Sequence, residues 1–408
     1  MDHRINIEYT ENETQSENSI VFDIKGDKGK GLNKSVINSL RRVLLSAIPT
    51  VGFRTELNNT DIKILKNTTS LHNEFILHRL SMIPLYIDPQ SYNRNYLFKL
   101  KIENNIEKPL IKVTAKDFDI FTLKEGEIID EDNTIDLEKY NTTPISEKEK
   151  QKIFRPFNKK HYCEIIELKS SDSTLKEELD LYGIPRISFA YEDSRWQAVS
   201  CATYSFKKDK ELFNQILQDK LKIDNISEED RYNYSNSLFI SESERYFHRD
   251  LKCEPYWYEF KIESLHHLNS KNLFIKSCEI IIDELELLKQ ELPKVLDDES
   301  NSRFSIEKIS ENIFKLFIHG NDDTIGNILQ TYIVNELINK DNSKITVCGY
   351  KNIHPLEKIL CFNISLDLDM PKKSNQRDII NIIELFTDAC GGLIYLYSSI
   401  KKAAQENL

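Results

Sequence analysis

Glycine is scarce in this chain, with 11 among 408 residues. The sequence contains neither a GxGxxG nor a GxxxxGK pattern, the two glycine-rich loops that commonly hold nucleotide phosphates. It also lacks a CxxC pair, although it has seven cysteines. These absences argue against a nucleotide-binding loop and against a structural zinc site, so we expect neither a metal nor a cofactor.

An excess of positive charge is missing too, because the formal net charge is −11 at pH 7. Since affinity for nucleic acid comes mainly from clustered Lys and Arg, the chain is not expected to hold DNA by itself. Nor do we expect an apolar run of the roughly 20 residues that a membrane span needs. Residues 1–6 lack the apolar core of a signal peptide. With an odd number of scattered cysteines, these features predict a soluble intracellular protein with reduced thiols.

What the sequence does contain is a clear amphipathic helix within residues 31–49, with Ser35 as its predicted N-cap and Pro49 as its stop. Its apolar residues recur every three or four positions and predict one stripe that faces a core: Val36, Ile37, Leu40, Val43, Leu44 and Ala47. The opposite side carries polar and basic residues: Lys34, Asn38, Arg41 and Arg42. Because the other face is committed to a core, a partner contact of the two arginines competes with a role as solvated charges.

This helix has an echo near the other end of the chain. Residues 324–335 align on residues 35–46 without a gap, and Thr324 takes the cap position of Ser35. Each helix is followed by a strand, which begins at Phe260 or Phe362, and then by a long amphipathic helix. Two amphipathic helices can look alike by chance, but three elements recurring in order favour a duplicated module. Helix and strand lie 225 residues apart in the first copy and 38 in the second, so about 187 extra residues predict an inserted domain.

The two long helices carry apolar seams with alternating spacings of four and three, which is typical of a helix that packs along another long helix. The first seam runs from Phe274 to Leu292 and the second from Ile379 to Ile400. Gly391 and Gly392 interrupt the second seam, and we interpret them as a close crossing, since Gly otherwise costs about 1 kcal/mol relative to Ala. The predicted module–module interface is Val36, Leu40, Val43, Leu44, Leu285, Leu288, Leu329, Ile333, Phe386 and Leu393.

Residues 67–85 predict a short helix that begins near Ser70 and ends at Pro84. Glu74 and His78 lie four residues apart on it, but no third ligand is near in sequence, so a surface pair is favoured over a metal site. Residues 96–123, 153–168 and 187–206 read as strands of the inserted domain. Residues 125–149 are acidic and polar, and residues 207–250 are charged and irregular apart from a helix over 212–221.

These stretches also carry a family likeness. Residues 38–49 (NSLRRVLLSAIP) and 67–85 (NTTSLHNEFILHRLSMIPL) resemble signatures of the alpha-like assembly subunits of multisubunit RNA polymerases. That family includes bacterial alpha, the archaeal D protein and the third-largest subunit of eukaryotic polymerase II. Residues 319–329 and 348–358 are similar to the smaller partner, the archaeal L protein and its eukaryotic counterparts. The resemblance covers most of residues 15–100 and 185–400.

In that family the two proteins are normally separate, and the fusion resembles the joined subunit of nucleocytoplasmic large DNA viruses. The resemblance implies an α+β fold with two related RNA-polymerase alpha-type dimerisation modules, in which long helices lie on antiparallel sheets, and an inserted mainly β domain. Residues 1–55 and 250–298 would form the first, D-like module, and 56–249 the inserted domain. Residues 299–302 would be a linker, and 303–408 the second, L-like module. The zinc-binding cysteines of some third-subunit relatives have no match here, nor does the DNA-binding C-terminal domain of bacterial alpha.

The function implied by the resemblance is that of a non-catalytic assembly subunit of a DNA-directed RNA polymerase, an intramolecular heterodimer that docks the two large catalytic subunits. The second-largest subunit would meet residues 71–85 and the face of the first helix that bears the two arginines. The residues singled out for this contact are Asn38, Arg41, Arg42, Glu74, His78 and Arg79. A small stabilising subunit is a further candidate partner, DNA would be met only through the complex, and no membrane is involved. If viral, the protein would work in the host cytoplasm, in virus factories, and be a candidate for packaging in virions; otherwise it would be nuclear.

Two alternatives stay open at this point. One is a stand-alone scaffold or adaptor unrelated to transcription, and the other is a hydrolase that uses Glu74 and His78. Co-purification with two very large chains favours the polymerase subunit, whereas a lone monomer favours the adaptor. Activity of the isolated chain would favour the hydrolase.

Overall fold

The computed structural model describes residues 5–10, 16, 18–27, 31–56, 59–104, 109–123, 144–157, 160–169, 176–224, 226–228, 230–265, 269–296, 303–338, 345–354, 356–366 and 375–408. The contacts between residues divide the chain into two compact units. Unit 1 comprises residues 1–45, 201–264 and 269–408, and unit 2 comprises residues 46–200 and 265–268. The predicted linker, residues 299–302, lies outside the described residues.

The chain alternates short strands with helices of very different length. The strands are β1 (Asn6–Tyr9), β2 (Ser19–Lys25), β3 (Pro49–Gly52), β4 (Thr55–Glu56), β5 (Asn59–Thr60), β6 (Ile62–Asn67), β7 (Tyr96–Glu103), β8 (Leu110–Thr114), β9 (Asp119–Thr122), β10 (Glu164–Lys169), β11 (Glu178–Gly183), β12 (Arg186–Phe189), β13 (Val199–Phe206), β14 (Trp257–Ser264), β15 (Phe304–Lys308), β16 (Ile313–His319), β17 (Ile345–Asn352) and β18 (Ile359–Leu366). The helices are α1 (Lys34–Ser46), α2 (Asn73–Ser81), α3 (Glu147–Ile153), α4 (Lys210–Ile223), α5 (Arg231–Glu242), α6 (Ser270–Glu291), α7 (Asp323–Tyr332) and α8 (Asn375–Asn407).

Unit 1 contains two four-stranded sheets with corresponding strand orders. The first has the order β1-β2-β14-β13 and the second the order β15-β16-β18-β17. Strand β2 is antiparallel to β1 and β14, and β16 is antiparallel to β15 and β18. In each case the chain makes a hairpin, a helix of middle length, two further strands and a long helix. We call β1, β2, β13, β14, α1 and α6 the first half of unit 1, and β15 to β18, α7 and α8 the second half.

Aromatic rings hold each long helix on its sheet. In the first half, Phe22 and Phe260 face one another on β2 and β14, and Phe274 of α6 contacts both rings with centroids 5.0 and 5.7 Å away. In the second half, Phe362 of β18 meets Phe386 of α8 edge-on at 4.9 Å. The predicted order of helix, strand and long helix is therefore confirmed in both parts of the chain.

Unit 2 is built mainly of β-structure around its own core. Its largest sheet has the order β6-β11-β7-β9, and the pairs β8-β10 and β3-β12 are separate. The core contains a cluster of phenylalanines in which Phe98 lies 5.3 Å from Phe53, 6.1 Å from Phe118 and 5.7 Å from Phe154. Edge-to-face contacts of this kind add to the free energy gained by burying the rings.

The predicted N-caps of the two echoing helices are wrong by the same two residues. The side chain of Asn33, not Ser35, accepts a hydrogen bond from Ser35 N (2.9 Å), and Asp322, not Thr324, accepts one from Thr324 N (2.9 Å). Ser35 is instead buried and contacts another helix. The short helix α2 likewise begins after His72 rather than at Ser70, because the His72 ring caps Glu74 N. In each case a polar side chain two residues from the predicted cap accepts the hydrogen bond from the backbone at the start of the helix.

Several stretches were assigned too little structure. Residues 207–250 hold two helices, α4 and α5, where a single shorter helix was predicted. The acidic stretch 125–149 is described only from residue 144, and there Ser146 caps α3 through reciprocal hydrogen bonds with Glu149. Strand β15 was not predicted at all. The common cause is that charged surface residues hide the weak periodicity of short elements.

Helix α8 corrects the expectation that no segment is apolar enough for a membrane span. Over Gln376–Asn407 it includes an 18-residue window of mean hydropathy 1.5, which is sufficient by length and composition. Core helices pass the same test, and here Phe386, Cys390 and Leu393 are at most 1% exposed. Helix α8 packs along α6 in the core of unit 1, and 39% of the apolar window is buried.

Candidate functional site

Helix α1 separates a core face from a polar face, as its sequence pattern predicts. On the core side Val36, Leu40 and Leu44 are at most 1% exposed. On the polar side Asn38, Arg41 and Arg42 are half-buried. These three are the predicted large-subunit contacts on α1, and their surroundings decide which of them is available to a partner.

Arg42 is directed at the start of α7, in the second half of unit 1. Its Nε donates to Thr324 Oγ1 at 2.9 Å, and its Nη2 donates to Asp322 Oδ2 at 3.2 Å. The same Asp322 side chain caps α7 through its other oxygen. Arg42 therefore contributes to the contact between the two halves, a role that sequence reasoning missed.

Arg41 makes a different kind of contact. Its Nε donates to Asn38 Oδ1 at 3.0 Å, so the guanidinium is oriented by a residue one turn away on the same helix. A guanidinium held in this way keeps N–H groups available for a planar carboxylate or carbonyl partner. Of the two adjacent arginines, Arg41 is the better placed to contact another protein.

A second polar contact joins α1 to α7. Ser35 Oγ lies 3.1 Å from Asn327 Oδ1 and 3.0 Å from Thr331 Oγ1. A cleft of about 440 Å³ adjoins this contact and is lined mostly by amides and hydroxyls, with one ion pair between Lys34 and Glu254 at 3.3 Å. Among the described residues that line this cleft there is no His, Cys or Asp.

Helix α2, in unit 2, displays the other predicted contact residues. Glu74, His78 and Arg79 are exposed, and Arg79 Nη1 donates to the backbone oxygen of Ile165 at 2.8 Å. The inner face of α2 is fixed by Ile76 and Leu80, which are both 0% exposed. The helix is thus anchored on one side and open on the other.

Two exposed apolar residues lie within the predicted contact segment 71–85 but were not singled out as contact residues. Phe75 is 64% exposed and Met82, at the C-cap, is 59% exposed. They are seven residues apart, which places them on one side of a helix. Large exposed apolar side chains beside charged ones are characteristic of protein-binding surfaces. The signal in the sequence was an apolar pair out of phase with Ile76 and Leu80.

The predicted seams of the long helices are buried, apart from the half-buried Ile379 at the start of the second seam. Leu285, Leu288, Phe386 and Leu393 are at most 1% exposed, and α6 packs along α8. Lys271 Nζ donates to the backbone oxygen of Gln405 at 3.2 Å, so the start of α6 lies beside the end of α8 and the helices are antiparallel. The other predicted interface residues, Val36, Leu40, Val43, Leu44, Leu329 and Ile333, are buried as well.

Charged residues flank the seam on both sides. Lys401 Nζ of α8 lies 3.0 Å from Glu279 of α6. Arg303 donates to Glu284 at 2.5 Å and to Glu291 at 2.7 Å, and Asn321 also donates to Glu284 at 2.8 Å. Burial alone would raise the pKa of Glu279, but hydrogen bonds from Lys401 and Lys276 outweigh that effect and lower the pKa.

One buried hydrogen bond crosses between the halves within the apolar seam. Ser39 Oγ donates to Val36 O at 2.6 Å and lies 2.5 Å from Tyr397 Oη, so the tyrosine hydroxyl is the donor of the second bond. Burial raises the pKa of Tyr397 far above its ordinary range, which keeps this donor protonated. A buried polar pair that satisfies itself costs little, whereas either group alone would be unpaired.

The close crossing predicted at the glycine pair is present, with a side chain rather than a backbone as the neighbour. A Cβ atom at Gly392 would overlap the hydroxyl of Tyr332, whereas one at Gly391 would meet only Lys289 Nζ at 3.4 Å. Burial raises the pKa of the seam thiols Cys278 and Cys390 to about 12, so both are unreactive. Among the described residues, no three His, Cys, Asp or Glu side chains are grouped so as to hold a metal ion.

Comparison with known proteins identifies the family. Residues 28–285, from just before α1 into α6, match the RNA polymerase Rpb3/Rpb11 dimerisation domain. The chain is 25% identical to "DNA-directed RNA polymerases I and III subunit rpac1" of Dictyostelium discoideum over 70% of this chain and 81% of that protein. It is 24% identical to a "Conjugation stage-specific protein" of Tetrahymena thermophila over 71% and 92%. It is also 25% identical to "DNA-directed RNA polymerase subunit Rpo3" of Methanosphaera stadtmanae over 47% and 60%.

The family match includes both α1 and most of α6, although most of the residues between these helices belong to unit 2. The match covers more than half of the chain. It includes both stretches that resemble signatures of the alpha-like assembly subunits, residues 38–49 and 67–85. The chain therefore belongs to the family of the RNA polymerase Rpb3/Rpb11 dimerisation domain.

Proposed function

We propose that this chain is a non-catalytic assembly subunit of a multisubunit DNA-directed RNA polymerase, in which both members of the family's dimer are joined covalently. Support comes from the family match and from relatives named as polymerase subunits. The observation that carries the joined dimer is the corresponding order of strands and helices in the two halves of unit 1. The first half, which adds strand β13 to the predicted residues 1–55 and 250–298, would be the D-like module, and residues 303–408 the L-like module.

In this proposal the mechanism is binding rather than chemistry. The seams of α6 and α8, together with the α1–α7 contacts, would hold the two modules as an intramolecular heterodimer. The inserted domain, predicted as residues 56–249 but without strand β13, would present α2. Arg41 and Asn38 on α1, and the exposed face of α2 with Glu74, His78 and Arg79, would dock the large subunits, especially the second-largest. A contact with DNA would arise only through the complex.

The apolar residues of α2 sharpen this docking proposal. Phe75 and Met82 supply exposed apolar area, and His78 and Arg79 lie between them with polar groups. Interfaces commonly combine a few apolar or aromatic anchors with a polar rim. We place the anchors of the large-subunit contact at Phe75 and Met82.

The decisive experiment is affinity purification of the full chain from its native source, followed by identification of the co-purifying proteins. We expect two very large chains in stoichiometric amounts, with a small stabilising subunit as a further candidate. A lone monomer would instead favour the stand-alone adaptor. A viral source and a virion location stay predictions, because the relatives reported above come from cellular organisms.

A second experiment addresses the joined modules. Residues 1–298 and 303–408, co-expressed as separate chains, should co-purify one to one, because the seams rather than the connecting segment hold the halves together. The connection would act by raising the effective concentration of one half for the other. Each part expressed alone should aggregate, since its seam would be exposed. Two well-behaved parts that do not associate would contradict the module assignment.

A further inference from the structure

The contacts between α1 and α7 have an internal symmetry. In the gapless alignment of the two helices, Ser35 corresponds to Thr324 and Arg42 to Thr331. Ser35 contacts Thr331, and Arg42 contacts Thr324. Exchanging the two helices therefore turns one contact into the other, which is the property of an approximate two-fold axis between them.

The long helices show the same relation independently. The pattern Phe-x3-Cys occurs at residues 274–278 of α6 and at residues 386–390 of α8. Aligning the two helices on this pattern pairs Glu279 with Gly391 and Lys289 with Lys401. Glu279 contacts Lys401, and Lys289 reaches Gly391. These two contacts are again exchanged when the helices are exchanged. Two separate helix pairs thus share one approximate symmetry.

The symmetry fails at three polar contacts. The carboxylate that meets Arg42 is Asp322, and the corresponding residue of the first half is the neutral Asn33. Ser39 and Tyr397 form a hydrogen bond where the corresponding pair, Ile328 and Leu285, is aliphatic. Glu284 and Glu291, which bind Arg303, correspond to Leu396 and Ala403 of α8.

These differences penalise pairing between two copies of the same half. In a pair of first halves, Glu279 of one copy would face Lys289 of the other. Glu284 lies midway between these two positions on α6, so it would face Glu284 of the other copy, and no Arg303 would lie between the two carboxylates. In a pair of second halves Tyr397 would meet Ile328, and its hydroxyl would be buried without an acceptor. Like charges in contact and buried unpaired hydroxyls both disfavour an interface.

We infer that the contacts Arg42–Asp322, Ser39–Tyr397 and Glu284–Arg303 are specificity determinants that restrict each half of unit 1 to the other half and exclude pairing of like halves between two chains. This inference rests on the proposed joined dimer. It assigns Arg42 to pairing within the chain, and it leaves Arg41 for docking.

Charge reversal in the full chain tests the inference at Arg303. Arg303→Glu places a third acidic group beside Glu284 and Glu291, and Glu284→Arg/Glu291→Arg places three cations together. Each variant should lower the Tm of unit 1 by about 3 °C or more, and the triple variant should recover at least half of that loss. The matched control is Lys402→Glu/Glu406→Lys, which reverses an exposed pair on α8 whose side chains are 76% and 61% exposed and should leave Tm unchanged.

Mixing supplies the test of specificity. Wild type, the control and the triple variant should be monomers by light scattering. The Arg303→Glu chain mixed with the Glu284→Arg/Glu291→Arg chain should form a mixed dimer. In that dimer Glu284 and Glu291 of the first variant would meet Arg303 of the second, and the new arginines of the second would meet the new glutamate of the first. If the single variants fail to fold, a folded monomeric triple variant still supports the inference.

Three results would overturn it: a triple variant no better than the others, charge reversal without effect, or wild-type chains that dimerise through like halves. All readouts concern the isolated chain. Failure here would leave co-purification with large subunits unaffected, so the inference and the proposed function can fail separately.

Discussion

Two apolar surfaces of this protein differ in how they are covered. On α6, Leu285 and Leu288 are 0% exposed, whereas on α2 Phe75 and Met82 remain 64% and 59% exposed. Burial of an apolar side chain stabilises a fold by about 1.5–3 kcal/mol, and an exposed one contributes little to stability. An interface already formed within the chain therefore resembles a core, while an interface that awaits another chain remains visible as exposed apolar area.

The largest expected effect is at the covered surface. Leu285→Ala should lower the free energy of unfolding of unit 1 by about 2–5 kcal/mol, because it leaves a cavity in the α6 seam. Leu287→Ala on the same helix, where the side chain is 40% exposed, should change it by about 0.5 kcal/mol. Urea denaturation with hydrogen exchange in α6 and α8 measures both. Equal losses would mean that the seam is not the stabilising contact.

The glycine pair gives the next test. Gly392→Ala should lower the free energy of unfolding by about 1–3 kcal/mol, because its methyl group would overlap Tyr332. Gly391→Ala is the control and should be neutral or stabilising by about 1 kcal/mol, since a flexible lysine can move and Ala favours helix. Thermal unfolding compares the two. In the alignment of α7 with α1, Tyr332 corresponds to Val43. Tyr332→Val removes the ring that the new methyl group would overlap, so it should relieve the cost of Gly392→Ala.

The adjacent arginines separate stability from docking. Arg42→Ala should lower the free energy of unfolding by about 0.5–1 kcal/mol through loss of a partly exposed ion pair and a hydrogen bond. Arg41→Ala should leave the free energy of unfolding, measured by thermal unfolding, within about 0.5 kcal/mol of wild type. It should nevertheless reduce co-purification of the large subunits. Reversed results, with Arg41→Ala destabilising and Arg42→Ala affecting only assembly, would exchange the roles assigned to them.

The flank of the seam predicts a dependence on pH. The pKa of Glu279 is lowered in the folded chain, so its contribution is fully present above the ordinary glutamate pKa of about 4.3 and is lost as pH falls through the folded pKa. Glu279→Gln should therefore cost about 0.5–1 kcal/mol at pH 7 and less at pH 3. Urea denaturation at both pH values tests this. With Lys401 and Lys276 changed to Met, the difference between the two pH values should shrink.

The smallest effect on stability is expected at the open surface. Phe75→Ala and Met82→Ala should each change the free energy of unfolding by about 0.5 kcal/mol or less, because both side chains are largely in solvent. Both should nevertheless reduce recovery of the second-largest subunit in pull-downs. The control is Leu65→Ala, an exposed residue on β6 outside α2. Unchanged recovery for both variants would remove α2 from the docking proposal.

Strong periodicity made part of this structure predictable. The seams of α6 and α8 and the core face of α1 were predicted correctly except at Ile379 and Ala47, which are half-buried. A repeat of four and three over several turns is rarely produced by anything but a packed helix. Short elements were not: α5 and β15 lack a long pattern, and two cap residues were displaced because several polar side chains compete at each helix start. Phe75 and Met82 were not singled out because two apolar residues out of phase with the buried face make too short a pattern to stand out.

The sequence by itself determined most of the buried faces of α1, α6 and α8, that helix, strand and long helix occur twice in order, and that about 187 more residues separate helix from strand in the first copy. Periodicity and spacing are local properties, so they can be recognised from the sequence alone. The tertiary structure alone decided which of two neighbouring arginines meets Asp322, which serine receives the Tyr397 hydroxyl and which aromatic ring fills the space above Gly392. Those outcomes depend on contacts between residues that lie 60 to 358 positions apart in the sequence, and no local pattern encodes such contacts.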